Sequence, residues 1–261
     1  MVLYSVISLG LAGLGLGLLL AAAEKLFAVK EDPRVEAIMA ALPSVNCGAC
    51  GFPGCSGYAA AVAQGSAEPN RCTVGGEKVA AAVAAIMGVE ATKAEKRIAA
   101  LLCRGGKCNS PERFEYHGIT SCSALNITAG GNKACVFGCL GMGDCVKMCP
   151  FGAIYMNEDK IPVVIEDKCM ACGKCVQTCP RALFELIPAS KKVIVACKSH
   201  DTLQETRKAC KVGCIACRLC EKKCPVGAIK VIDNLAVIDY SICTGCGICV
   251  DVCPQKAIIK M

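Results

Sequence analysis

An α+β chain is predicted, with one apolar N-terminal helix, a small helical four-Cys domain and two copies of a module of short strands and cysteine-bearing turns. Three observations predict it. Residues 2–23 carry no charge, 25 of the 261 residues are Cys, and residues 134–154 align with residues 209–229 at a constant offset of 75. The first is an apolar run of helix length, the second a demand for thiol chemistry, and the third a duplication.

The cysteine count bounds the chemistry. An odd number in a long chain, recurring as C-x2-C, argues for thiolates that ligate clusters in a reducing compartment; a disulfide scaffold favours an even count in a small secreted domain. Trp is absent and aromatics make up 4%, so small aliphatic side chains must form much of the core. The formal charge of +7 invites a nucleic-acid partner, but it counts thiols as neutral. A 4Fe-4S cube with four thiolates carries a net charge of about 2−, so five or six cubes remove about ten to twelve charges. No polybasic run interleaved with aromatics occurs, so no nucleic-acid partner is expected.

At about 1.5 Å per residue, residues 2–23 make roughly 33 Å of helix, enough to cross a bilayer. No Lys or Arg precedes the run, as a signal peptide would require, whereas Lys25, Lys30 and Arg34 follow it. The positive-inside rule then expects a single-pass anchor in the cytoplasmic (inner) membrane with the Cys-rich part in the cytoplasm. Gly10, Gly13, Gly15 and Gly17 offer close approach to another helix.

Asp32-Pro33 has the form of an N-cap and first helical residue, opening a short helix through Leu42. Cys47, Cys50, Cys55 and Cys72 follow, three of them in the loop Cys47-Gly48-Ala49-Cys50-Gly51-Phe52-Pro53-Gly54-Cys55. Glycine lets the backbone fold tightly around a cube and aim N–H groups at its sulfurs, so the four suit a self-contained 4Fe-4S site. A zinc knuckle would use the same thiolates. Residues 76–87 read as a helix with Val79, Val83 and Ile86 on one face and Gly88 at its end. Thr92 with Glu95 has the form of a capping box opening another helix through Leu102.

The most specific pattern lies at residues 209–258. Cys214, Cys217, Cys220 and Cys224-Pro225 are followed by Cys243, Cys246, Cys249 and Cys253-Pro254, two C-x2-C-x2-C-x3-C-P runs in the ligand pattern of a two-cluster bacterial ferredoxin. Three close thiolates hold three corners of a cube and the fourth crosses to the other one. Cys214, Cys217 and Cys220 therefore pair with Cys253, and Cys243, Cys246 and Cys249 with Cys224. A pair of zinc sites does not need the third Cys or the C-P. Apolar runs at residues 161–165 and 235–238 suit short strands beside the ligand loops.

The repeat matches Cys135 with Cys210, Cys139 with Cys214, Cys145 with Cys220 and Cys149-Pro150 with Cys224-Pro225, while Cys169, Cys172, Cys175 and Cys179-Pro180 match the run from Cys243. Cys149 is expected to join Cys169, Cys172 and Cys175. Met142 stands where Cys217 supplies a ligand, so Cys139, Cys145 and Cys179 lack a fourth thiolate. Cys135 is the expected replacement, and a three-iron cluster is the competing reading. Cys210 weighs against Cys135, because it holds the equivalent place in a module that already has four ligands.

Cys103, Cys108, Cys122, Cys197 and Cys210 remain. They could hold a sixth cluster, with Cys103, Cys108 and Cys122 as core ligands and Cys210 or Cys197 closing it, since residues 103–108 form a tight glycine turn. Otherwise they are buried thiols that behave as small hydrophobes. His117 and His200, at unrelated spacings, read as surface or hydrogen-bonding residues. No nucleophile pair, paired acids, P-loop or G-x-G-x-x-G is visible, so no flavin or NAD is expected on this chain and its catalytic residues are none.

The apolar run, Asp32-Pro33-Arg34-Val35, the Cys47 to Cys55 loop and the Asn70-Arg71-Cys72 to Gly75-Gly76 segment together resemble the B subunit of the Rnf complex, and the likeness runs through the whole chain. The resemblance implies a component of a membrane-bound ferredoxin:NAD+ oxidoreductase, a translocase coupled to sodium or proton movement. Such a component takes electrons from soluble reduced ferredoxin and relays them through 4Fe-4S clusters, five here and a sixth open, to integral and peripheral partner subunits. Short members carry one ferredoxin module, and this chain carries two.

The expected division is a transmembrane anchor (1–28), a four-Cys 4Fe-4S domain (29–90), a helix and Cys-containing linker (91–130), ferredoxin module 1 (131–190), a connector (191–208) and ferredoxin module 2 (209–261). The cytoplasmic part would then form three beads in series. The competing classes are the iron-sulfur subunit of another membrane oxidoreductase, such as a hydrogenase or dehydrogenase, and a zinc-binding interaction protein.

Overall fold

A computed structural model describes residues 2–27, 32–90 and 95–261. Helix α1 (Val2–Phe27) contains the apolar span Val6–Lys25, with a mean hydropathy of 2.2 and none of it buried against the protein. A helix apolar all round with no protein neighbour is suited to lipid or to another apolar helix. Lys30 lies outside the described residues.

Helix α2 (Pro33–Ala41) opens as its sequence predicts: the Asp32 carboxylate accepts the Arg34 backbone N–H at 2.9 Å and pairs with its guanidinium at 2.6 Å. Helices α3 (Gly54–Ala63) and α4 (Gly76–Met87) follow, and α4 stops at Gly88, whose φ of 68° is the left-handed cap that glycine adopts without strain. The three helices close over Ile38, Tyr58, Val62 and Val83. Tyr58 carries its hydroxyl through this core to the Glu68 carbonyl at 2.9 Å. The bundle thereby fixes both ends of the segment that carries Cys47, Cys50, Cys55 and Cys72.

The remainder is one succession of elements made twice. The first copy runs β1 (Arg97–Leu101), α5 (Cys122–Ile127), α6 (Asp144–Lys147), β2 (Ile154–Met156), β3 (Pro162–Val164), a 3-10 turn at Glu166–Lys168, α7 (Lys174–Thr178) and β4 (Phe184–Pro188). The second runs β5 (Val193–Val195), α8 (Leu203–Ala209), α9 (Leu219–Lys223), β6 (Ile229–Ile232), β7 (Leu235–Ile238), α10 (Ile248–Asp251) and β8 (Ile258–Lys260). In each copy the first strand pairs with the last and the two middle strands pair with each other, all antiparallel.

The helix expected from Thr92 through Leu102 is absent. Residues 97–101 are strand β1, registered on β4 from Arg97↔Pro188 to Leu101↔Phe184. Thr92 lies outside the described residues, and Glu95 accepts a hydrogen bond from Ser190. Burial explains the outcome: Ile98 and Ala100 pack against Ile187 and Ile194, while Ala99 packs on Phe184 and module 1 cysteines. A segment apolar on both faces gains more from pairing than a local cap can offer. The segments expected as linker and connector thus supply β1, and β5 with α8, to the two copies.

The copies share a core of Ile98, Ala100 and Ile187 from the first with Ile194 and Ala196 from the second. Polar contacts cross the same seam. Arg104 donates to the Lys256 carbonyl at 2.9 Å, Ser110 Oγ to the Ala209 carbonyl at 2.9 Å and the Lys211 N–H to the Asn109 carbonyl at 2.9 Å.

Candidate cluster sites

The ligand loops share one backbone. Residues flanking the middle ligand position take left-handed φ in all four: Gly141 and Gly143 (74° and 77°), Ala171 and Gly173 (50° and 73°), Ala216 and Arg218 (54° and 57°), Gly245 and Gly247 (73° and 84°). The alternation curls the loop so that successive ligand side chains converge. In each C-P turn, the fourth residue after the Cys turns its N–H back onto that crossing sulfur: Ala153 to Cys149 (3.3 Å), Leu183 to Cys179 (3.4 Å), Ala228 to Cys224 (3.3 Å) and Ala257 to Cys253 (3.3 Å). Donors aimed at sulfur favour thiolate over thiol.

Sets of four cysteines surround cavities. Cys47, Cys50, Cys55 and Cys72 line one, Cys214, Cys217, Cys220 and Cys253 a second, and Cys224, Cys243, Cys246 and Cys249 a third. Cys169 and Cys175 share a core with Cys149, and burial together with the nearby thiols of Cys47, Cys149 and Cys169 pushes the Cys172 thiol up. Each of these sets is one that the motif spacing groups. Among the described residues no three His, Cys, Asp or Glu side chains gather tightly enough for a single metal ion. Four thiols around one such space would suit the corners of a multi-atom cubane, whereas a tetrahedral zinc draws its sulfurs to about 2.3 Å from one atom.

The first site of module 1 differs from expectation. One pocket is lined by Cys139, Cys145, Cys179 and Cys122, not Cys135. Asp144, at the start of α6, accepts hydrogen bonds from Ser121 Oγ (2.9 Å) and the Cys122 N–H (2.8 Å), and so clamps Cys122 beside Cys145. Cys135 is turned away because Arg181 holds its loop, donating to the Gly138 carbonyl at 2.5 Å and the Cys135 carbonyl at 3.3 Å. Cys135 instead lines a pocket with Cys103, Cys197 and Cys210. The grouping of Cys103 with Cys108 and Cys122 is therefore not formed. Cys108 is exposed, and its bond to the Asp159 carboxylate raises its pKa.

Residues 42–74 match the FeS family model of an Fe-S cluster, and residues 134–183 and 213–258 match the Fer4_7 and Fer4_9 models, each a 4Fe-4S dicluster domain. Among curated relatives, the chain is 47% identical to the B subunit of the Na(+)-translocating ferredoxin:NAD(+) oxidoreductase complex of Acetobacterium woodii, over 96% of this chain and 75% of the relative. It is 43% identical to the B subunit of the ion-translocating oxidoreductase complex of Methanosarcina acetivorans, over 95% of each. The B subunit of the proton-translocating ferredoxin:NAD(+) oxidoreductase complex of Clostridium ljungdahlii is 44% identical, over 94% of this chain and 88% of the relative. The chain belongs to the Rnf B-subunit family. Cys103, Cys122, Cys197 and Cys210 fall outside all three matched regions of this Rnf chain.

Burial dominates the thiols without metal. It pushes Cys139, Cys145 and Cys175 up to about 12, and Cys197, Cys220 and Cys249 up to about 11, with neighbouring thiols adding to the shift. Ligation at these positions must displace protons. Two cations sit among the sulfurs. Lys133 is 1% exposed and donates to the Gly105 carbonyl at 2.7 Å. Burial lowers the pKa of Arg181, opposed by the thiols of Cys135, Cys139, Cys103 and Cys179 around it.

Proposed function

We infer that this chain is the iron-sulfur electron-transfer subunit of an ion-translocating ferredoxin:NAD+ oxidoreductase, taking electrons from reduced ferredoxin at module 2 and passing them towards the membrane. The observation that carries the relay is the succession of thiol sets. Cys47 of the N-terminal site is near enough to Cys172 to raise its thiol, as Cys175 of the next site is to Cys145, and the Cys139 N–H donates to Cys103 Sγ at 3.3 Å. Cys197 then lies beside Cys214, at the near side of module 2. A folded row of this kind suits single-electron relay, and hydride chemistry belongs to a partner subunit.

The module 2 end is the accessible one. Cys217 and Cys246 are exposed, and Arg218, Lys222 and Lys223 of the same ligand segment are exposed as well. The N-terminal site follows α1, and keeping its thiols reduced favours the cytoplasmic side of the inner membrane for the whole Cys-rich part. The relatives named above move Na+ in one case and protons in another, so either coupling ion agrees with the family.

Anaerobic purification with iron, sulfide and zinc analysis tests the cofactor, and a membrane pull-down with ferredoxin-dependent NAD+ reduction tests the complex. Brown protein with about four irons and four sulfides per cube is expected. Colourless protein with stoichiometric zinc would overturn the relay, and recovery of a hydrogenase would reassign the chain to another complex.

A further inference from the structure

We propose that Arg181 is a positioning residue that sets the reduction potential of the module 1 site lined by Cys122, Cys139, Cys145 and Cys179, raising it above that of the matching site in the second copy. The proposal rests on the iron-sulfur reading above and deepens it. Each ligand run ends in C-P, and the residues that follow the four prolines are Phe151, Arg181, Val226 and Gln255. Of these only Arg181 is charged. It lines the module 1 pocket as Gln255 lines the pocket of Cys214, Cys217, Cys220 and Cys253. The two copies therefore place a cation and a neutral amide at equivalent points.

The guanidinium is held from several sides. Its Nε donates to Asn126 Oδ1 at 3.1 Å, its Nη1 to the carbonyls of Gly138 at 2.5 Å and Cys135 at 3.3 Å, and its Nη2 to the Gly130 carbonyl. Asn126 belongs to α5, the helix that opens at Cys122. Gly138 immediately precedes Cys139, and Arg181 itself stands two residues after Cys179. One side chain thus ties together segments that carry three of the four cysteines. A planar fork of donors can do this, whereas the point charge of a lysine cannot reach so many acceptors at once. Gly131 leaves room for it: a Cβ there would lie 2.5 Å from Arg181 Nη2, on a backbone with φ of 90°. At the same offset of 75, the second copy has Thr206, a buried side chain, in place of Gly131.

The charge of Arg181 has no carboxylate to answer it. All four acceptors are neutral, and among the described residues it forms no ion pair with Asp or Glu. A guanidinium nevertheless stays protonated in proteins. Burial disfavours its charge, and the thiols of Cys135, Cys139, Cys103 and Cys179 favour it. Cys139 and Cys179 line the module 1 pocket, so the sulfur ligands themselves supply the balancing anion. Uptake of one electron from a donor adds one negative charge beside this fixed cation, and the attraction favours the reduced form.

Redox titration followed by electron spin resonance reads the effect, on the full chain purified anaerobically in detergent with its iron and sulfide counted. The cluster concerned is the one whose signal changes in Cys122→Ser. At the potential that half-reduces it in the wild type, Arg181→Gln should lower its reduced-to-oxidised ratio about tenfold, with the iron content unchanged. Arg181→Lys, which keeps the charge and loses the fork, should stay near the wild-type ratio. Wild-type ratios in Arg181→Gln at full iron content would overturn the proposal and leave the relay reading standing, as would an equal fall in Arg181→Lys. Absence of any iron-sulfur signal in the wild type would remove both. If Arg181→Gln loses iron or does not fold, Gln255→Arg decides: it should raise the ratio of one module 2 cluster, and an unmoved ratio there would overturn the proposal.

Discussion

Met142 interrupts a ligand pattern without interrupting its backbone. Gly141 and Gly143 keep the left-handed geometry of the other three loops, so a cysteine at Met142 would point where Cys217 points in the second copy. Cys122, held by Asp144, lines the pocket of Cys139, Cys145 and Cys179 instead. Cys122→Ser is expected to leave a three-iron cluster, visible by electron spin resonance, and Cys122→Ser/Met142→Cys to restore the cube. Persistence of the intact cube in Cys122→Ser would assign the corner to another residue. The missing ligand was legible in the sequence because a repeat exposes its own exceptions. Its replacement was not, because Cys135 is near Cys139 along the chain whereas Cys122 is near it only through a carboxylate clamp. Lys133 was equally silent: nothing in its neighbours' spacing shows that it is buried. Lys133→Met should move the adjacent cluster to lower potential in a redox titration, since a removed positive charge makes electron uptake less favourable.

At the scale of elements, local signals held where local chemistry decides. The cap at Asp32, the glycine stop at Gly88 and the strands at Pro162–Val164 and Leu235–Ile238 all lie where the sequence places them. Strand β1 does not, because its partner β4 belongs to a distant part of the chain and its burial comes from the other copy. The same non-local pairing hid the true extent of the duplication, which includes β1 and β5. Ile187, fully buried between the copies, should therefore matter to both. Ile187→Ala is expected to cost about 2–5 kcal/mol, read as a lower denaturant midpoint for loss of cluster absorbance in the two modules together. Asp144→Ala removes two hydrogen bonds to a charged acceptor, a loss of about 1.5–3 kcal/mol for such a group, and should release iron first from the Cys122 site. Simultaneous, unselective release would count against the clamp.

Across the whole molecule, the polarity of the row decides what the surface must do. Formal charge alone marks the chain as basic, but the clusters add negative charge inside, where Lys133 and Arg181 sit, while most of the other Lys and Arg side chains stay outside. At the module 2 end this leaves Arg218, Lys222 and Lys223 exposed in the same ligand segment as the exposed Cys217. Exposed charges of one sign steer an oppositely charged partner, by a factor of about 10 or more in on-rate at low salt, and the gain fades once the Debye length falls to about 8 Å. For an acidic ferredoxin, Lys222→Glu/Lys223→Glu should slow stopped-flow reduction of the chain about tenfold at low ionic strength and leave the rate nearly unchanged at high salt. Neither side chain is a cluster ligand, so the cluster count should stay as in the wild type. A rate that ignores both the charge reversal and the salt would move the ferredoxin docking point away from Cys217, to the far side of module 2 around the exposed Cys246.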